Sequence, residues 1–256
     1  EVTEKNVLRY WGVTFSKWNP KGSLRSMDRV FEKLGYKFVN ASHGDEWDVL
    51  WSFEYPFKKS LIHQKTKLFE PLFKMNFTFL PHQRINHFPG IAQITNKVML
   101  GTQTKSKYIL PTFTFPDMLE EFDKYVLSHP DEKFIEKNYN NRGVQIVALD
   151  EIEYDASIKI YQPFMANPFL IDGHAFDFGV YVLITSVNPL KIYRYATENF
   201  IRFCPDEYLP FDPEDPDKYV VDGDHLSAFE MPSFEELYEN YGYSFKLIFE
   251  HIIRER

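Results

Sequence analysis

Two apolar runs, FDFGVYVLITSV (176–187) and LKIYRYA (190–196), are separated only by Asn188 and Pro189. Both are rich in β-branched and aromatic residues, and a two-residue turn between such runs makes them an antiparallel hairpin. No other feature narrows the fold as much. Asp177 alternates with Phe176 and Phe178 in the first run. Neighbouring side chains on a strand point to opposite faces, so two core-facing phenylalanines turn Asp177 toward a cleft or solvent.

Upstream, KFIEKN (133–138) and VQIVAL (144–149) read as strands around the loop NYNNRG, and IKIYQPFM (158–165) as a further strand. The N-terminal part has another rhythm. VLRYWGV, YKFVN and WDVLWSF are strands. Between the first two lies a helix in which Met27, Val30, Phe31 and Leu34 recur at i, i+3, i+4 and i+7, with Gly35 to end it. Strand–helix–strand order points to a small α/β lobe. ITNKVMLGTQTK (94–105) and PDMLEEFDKYVLSHP (116–130) are helices, the second capped by Asp117. The final segment, from Pro232, carries one helical stripe, opened by a capping box of Ser233 and Glu236. FDPEDPDKYVVDGD (211–224) reads as a solvated acidic loop. The expected division is an α/β lobe at 1–75, a linking helical segment at 76–132, and at 133–256 a central sheet-rich lobe with the incomplete start of a C-terminal lobe.

The formal net charge is −8. Nucleic-acid binding needs clustered Lys and Arg, so the chain as a whole is not of that class. An acidic partner would need a local patch, for which Lys58, Lys59, Lys65 and Lys67, or Lys97, Lys105 and Lys107, are candidates. No apolar run reaches the ~20 residues of a membrane span. The lone cysteine, Cys204, cannot close an internal disulfide and suits a reducing compartment. It reads as a core residue, and His82 and His87 as structural. The histidines lack zinc spacing, and neither a P-loop nor a GxGxxG motif is present. What remains is a lysine at a strand end, Lys137, followed by Arg142-Gly143. That pattern can hold phosphates or decorate an ordinary hairpin.

Several blocks together are more specific. QRINHFPG, KFIEKN…RGV, YQPFMANPFLIDGHAFDFGVYVLITSVNPLKIYRY, ENFIRF and DHLS resemble, in content and order, the tubulin tyrosine ligase-like proteins, from HQRINHF onward. The resemblance implies an ATP-grasp α/β fold: a small N-terminal α/β lobe, then a central antiparallel-sheet lobe for the nucleotide. It also implies an ATP-dependent amino-acid ligase that activates a carboxylate as an acyl phosphate. The expected reaction is polyglutamylation of tubulin tails, in the cytoplasm, at the cytoskeleton or in cilia. The partners implied are tubulin or microtubules and an amino acid, glutamate. Carried over by position, Lys137 is the nucleotide-binding lysine, and Arg142 and Gly143 belong to the phosphate loop. Gln162, Phe164 and Met165 form the adenine hinge. Asp177 is the acidic residue near the nucleotide, and Arg202 holds a substrate carboxylate. ATP and Mg²⁺ are the implied cofactors, with the metal ligands further along than residue 256.

The departures from the family pattern are specific. Gln145 stands where a second glycine belongs in the phosphate loop, where its side chain would crowd the phosphates or replace backbone donors. Val144 and Ala175 replace basic residues, Gly179 replaces an arginine, and Ala228 an asparagine. They motivate an alternative: a catalytically impaired pseudo-ligase that docks on tubulin or microtubules.

Overall fold

Parallel strands cannot be joined by a tight turn and need a crossover. In the first of two compact units, residues 1–96, helix α1 (Arg25–Lys33) is that crossover, between β1 (Arg9–Val13) and β2 (Lys37–Phe38). With β3 (Val49–Ser52) and β4 (Arg84–Ile85) they form a parallel sheet in the order β2-β1-β3-β4. The buried Phe31 fastens α1 to the sheet by stacking on Tyr10 at 4.6 Å. Gly35, at φ +82, turns the chain back. The QRINHF block supplies the edge strand. Asn86 accepts from the Ser52 amide at 2.9 Å and donates to its carbonyl at 2.8 Å, so its side chain continues the ladder as backbone would. His87 also contacts that carbonyl, at 3.0 Å. The unit closes with α2 (Ala92–Thr95).

This structure, a computed structural model, describes residues 8–13, 24–39, 47–52, 56, 79–138, 143–154, 159–196, 200–221 and 223–255. Arg142 and the lysines at 58, 59, 65 and 67 lie outside the described residues.

Among its described residues, the second unit, residues 97–256, has three sheets. It opens with α3 (Lys97–Gln103), separated from α2 by Asn96, whose backbone is extended. The helix read over 94–105 is therefore two helices. Next comes α4 (Leu119–Ser128). The expected cap at Asp117 is not formed, because the chain is still turning there: the Met118 amide bonds back to the Thr114 carbonyl at 2.9 Å, and the helix starts one residue later. β5 (Phe134–Asn138), β6 (Gln145–Val147) and β7 (Lys159–Pro163) make an antiparallel sheet with β5 in the middle. One face carries Phe134, Val147 and Tyr161 into a core with Phe113, Phe115 and Phe122 of α4. Phe113 and Phe115 meet Phe122 edge-on at 5.1 Å, in the arrangement the ring quadrupoles favour.

The run 176–187 is not one strand. β8 (Phe176–Gly179) pairs with β11 (Phe200–Phe203), which in turn pairs with β12 (Leu226–Ser227). β9 (Val182–Val187) leaves that sheet and pairs with β10 (Leu190–Arg194) in the expected hairpin. Phe176, Ile201 and Phe203 face a second core formed with α5 (Pro232–Tyr238) and α6 (Phe245–Arg254). The single terminal helix that was expected is broken at Gly242 and Tyr243, both at positive φ. Its expected capping box is not made either. The amide and hydroxyl of Ser233 donate instead to Asp172, 61 residues away in sequence. Asp172 and Gly173 hold positive φ in the turn that closes the Ile171–His174 bridge, and this aims the Asp172 carboxylate at the start of α5.

Candidate functional site

Register decides which side chains share a face. Ile135 lies opposite Gln162 on β5 and β7, and Lys137 opposite Ile160. Lys137 and Gln162 are therefore on the face away from the aromatic core, on a diagonal. There Lys137 Nζ donates to Gln162 Oε1 at 2.9 Å, and Gln162 Nε2 donates to Thr112 Oγ1 at 2.8 Å. Two residues read from separate motifs are thus brought together, with a buried Thr112 that the sequence did not single out. The pKa of Lys137 is lowered, first by burial and then by the charge of Lys97 at the start of α3. The sequence offers Lys97 only as part of a candidate lysine patch. Gly101 of α3 comes so near the chain that a Cβ there would overlap the Thr112 side chain. Close packing at glycine therefore brings Lys97 to this face. No carboxylate among the described residues pairs with Lys137. A partly dehydrated lysine pressed by a second cation is stabilised by an anion, so this face suits a phosphate group.

The strand end beyond Gln162 divides the other hinge candidates. The Phe164 amide donates to the Lys133 carbonyl at 2.8 Å, and its ring stacks on Phe211 at 5.5 Å and meets Tyr219 edge-on at 5.8 Å. Phe164 is a packing residue here, and Met165 is exposed. Phe211 and Tyr219 belong to the acidic segment read as a solvated loop. It is not merely solvated, because Pro213, Glu214, Pro216 and Tyr219 help line a cleft of about 400 Å³ with Glu136, Gln145 and Lys159.

Gly143 sits at φ +68, a backbone conformation that favours glycine, and a Cβ there would come within 2.8 Å of the terminal Nδ2 of Asn138, a side-chain end that can move aside. Gln145 turns away from the Lys137 face. It lies opposite Glu136, and its Nε2 donates to Glu136 Oε1 at 3.0 Å. Glu136 is only 4% exposed and also accepts from the Tyr161 hydroxyl at 2.9 Å and from Lys159 Nζ at 3.0 Å. Burial, and then this carboxylate, push the Tyr161 hydroxyl up to about 12. The Gln145 side chain is thus engaged with Glu136, on the opposite face of the sheet from Lys137.

On the other sheet, Asp177 and Arg202 are direct cross-strand partners. Arg202 Nε donates to Oδ1 at 2.9 Å and Nη2 to Oδ2 at 2.5 Å, a bidentate pair, and the guanidinium lies 5.2 Å from the centre of the Phe200 ring. Asp177 does face away from the core that holds Phe176, and what it meets is Arg202. Ala175 is buried with Cys204 and Tyr208. A Cβ at Gly179 would lie 3.4 Å from Phe200 Cδ1. Cys204 is fully buried, and its thiol is pushed up to about 12, mainly by burial and then by Asp177 and Asp217. Among the described residues, no three His, Cys, Asp or Glu side chains come together to hold a metal. No described helix is long and apolar enough to cross a membrane.

Residues 74–244 match the tubulin-tyrosine ligase family. The chain is 32% identical over 228 residues to the probable tubulin polyglutamylase ttll-15 of Caenorhabditis elegans, across 88% of this chain and 42% of that one. It is 31% identical over 139 residues to tubulin polyglutamylase ttll6 of Danio rerio, across 50% of this chain and 18% of that one. The chain thus spans well under half the length of these curated relatives. Among solved structures it is similar to the C-terminal domain of Kluyveromyces lactis Pby1, an ATP-grasp enzyme that interacts with the mRNA decapping enzyme Dcp2. The TM-score is 0.46 at 14% identity over 81% of this chain and 62% of that one, too distant to bear on function.

Proposed function

This chain belongs to the tubulin-tyrosine ligase family, and from that premise we propose that it is an ATP-dependent ligase that joins glutamate to tubulin tails on an ATP-grasp scaffold. The single observation that carries the nucleotide half is the face shared by Lys137, Gln162 and Lys97, which is cationic, partly dehydrated and without a paired carboxylate. Lys137 and Lys97 would hold phosphate oxygens, and Gln162 would orient the Lys137 ammonium. When bound, ATP would supply the phosphoryl group that activates a tail carboxylate as an acyl phosphate, with ADP leaving. The glutamate amine then displaces phosphate and loses its proton. The residues contribute position and charge, the two largest contributions to such chemistry. Among the described residues, no three His, Cys, Asp or Glu side chains gather to hold Mg²⁺. Arg202 would receive a substrate carboxylate, at the cost of its present bond to Asp177. Action on tubulin places the protein in the cytoplasm or on the cytoskeleton, with the cilium as one such setting.

Incubation with tubulin, Mg-ATP and labelled glutamate tests the reading. Incorporation that falls to background in Lys137→Ala is expected, and equal incorporation by both proteins overturns it. A second reading, a tubulin- or microtubule-docking pseudo-ligase, is favoured by the burial of Ala175 and the packing of Gly179 on Phe200, which leave no cation at either place. Co-sedimentation with microtubules in the absence of incorporation would select it.

A further inference from the structure

Glu136 is a charged side chain enclosed in a sheet, and an isolated carboxylate there would be costly. Three donors satisfy it: the Tyr161 hydroxyl from β7, the Gln145 amide from β6 and the Lys159 ammonium from the start of β7. Lys159 is in turn held by Glu153 at 2.9 Å, and these two contacts raise its pKa, Glu153 more than Glu136. The cluster therefore ties all three strands of the sheet through one carboxylate.

Its position gives it a consequence for the opposite face. The Glu136–Gln145 pair is the last rung of the β5–β6 ladder before the turn. The next residues toward the turn are Lys137 and Asn138 on one strand and Val144 and Gly143 on the other, with Asn138 and Gly143 in close approach. Side chains alternate, so fixing Glu136 and Gln145 on one face fixes Lys137 and Ile146 on the other through the backbone. Gln145 stands where a glycine would leave this rung without a side-chain tie. We infer that Gln145, with Glu136 and Tyr161, is a positioning residue that fastens the stem of the phosphate-binding hairpin, substituting side-chain bonding for the missing glycine rather than obstructing the site. The inference rests on the proposed nucleotide-binding role of the Lys137 face.

The two accounts of Gln145 predict opposite signs. Calorimetric titration with ATP and with adenosine, on wild type, Gln145→Ala and Gln145→Gly, reads the sign directly. A fastening role predicts ATP binding about tenfold weaker in both variants, the scale of one lost bond to a charged group, with adenosine binding unchanged. Hydrogen exchange at the Gln145–Val147 amides should quicken in both while the global melting temperature falls by no more than about 2–4 °C. ATP affinity equal to or above wild type in Gln145→Ala and Gln145→Gly overturns the inference while leaving nucleotide binding intact. A wild type that fails to bind ATP overturns the nucleotide reading, and this inference with it.

Discussion

The Asp177–Arg202 pair allows the sharpest separation of a structural role from a ligand-binding one. Their side chains are 44% and 30% exposed. An ion pair in contact with water contributes about 0.2–1 kcal/mol, and bidentate geometry puts this one near ~1 kcal/mol. A buried pair behaves differently, because removing one partner strands the other and costs about 3–5 kcal/mol. The double-mutant cycle of Asp177→Asn and Arg202→Gln, followed by chemical denaturation, measures the coupling free of each residue's other contacts. The expected coupling is about 1 kcal/mol, and each single variant should lower the melting temperature by no more than about 2–4 °C for a chain of this size. So weak a tie can be exchanged for a ligand's charge at small cost, as required if Arg202 is to take a carboxylate. A coupling above about 3 kcal/mol would refute the reasoning and make the pair a structural fixture of the β8–β11 ladder.

Three further outcomes follow from the same geometry. Gly101→Ala would ordinarily stabilise a helix by roughly 1 kcal/mol, but overlap with Thr112 reverses the sign; a loss of about 1–3 kcal/mol is expected on denaturation, and any gain in stability refutes the close packing of α3. The pKa of Lys137 lies below its ordinary 10.5, so between the two values the unfolded chain holds more protons, and this group's contribution to stability rises with pH. An anion reverses the preference: ATP affinity should fall as pH climbs through that window, and a calorimetric pH series that keeps its slope in Lys137→Met would count against the site. With its thiol at about 12, Cys204 should resist iodoacetamide at pH 8 until denaturant is added, and equal labelling rates in the native and denatured protein would contradict its burial.

Much of the local structure was legible because it depends on period alone. The alternation in KFIEKN and IKIYQPFM marks β5 and β7, and the spacing of Val30, Phe31 and Leu34 marks α1. Local backbone turns ended the helices early at Asn96 and at Gly242–Tyr243, while other failures have a distant cause: the deciding partner lies far away in sequence. Ser233 is followed by a suitable Glu236, yet its cap partner is Asp172. The apolar run 176–187 is a uniform strand signal, but which neighbour each half finds is set elsewhere: β11 for the first half, β10 for the second. Thr112 became visible only once Gln162 was seen to donate to it. The direction of the Gln145 side chain likewise follows from register, which a gap of nine residues to Glu136 does not reveal.

Charge accounting over the two sheets ranks the proposed ligands. On the β5–β7 sheet, Lys137 and Lys97 press on each other with no opposing carboxylate among the described residues, so an incoming polyanion relieves a repulsion already present. On the β8–β11 sheet, Arg202 is already neutralised by Asp177, and Ala175 and Gly179 add no cation. An amino-acid carboxylate arriving there displaces a weak internal partner, Asp177, and gains no second cation from Ala175 or Gly179. Nucleotide binding is therefore the more robust half of the proposed chemistry, and amino-acid capture the half on which activity depends. A protein that binds ATP well and ligates slowly, with a high KM for glutamate, is what this distribution of charge predicts.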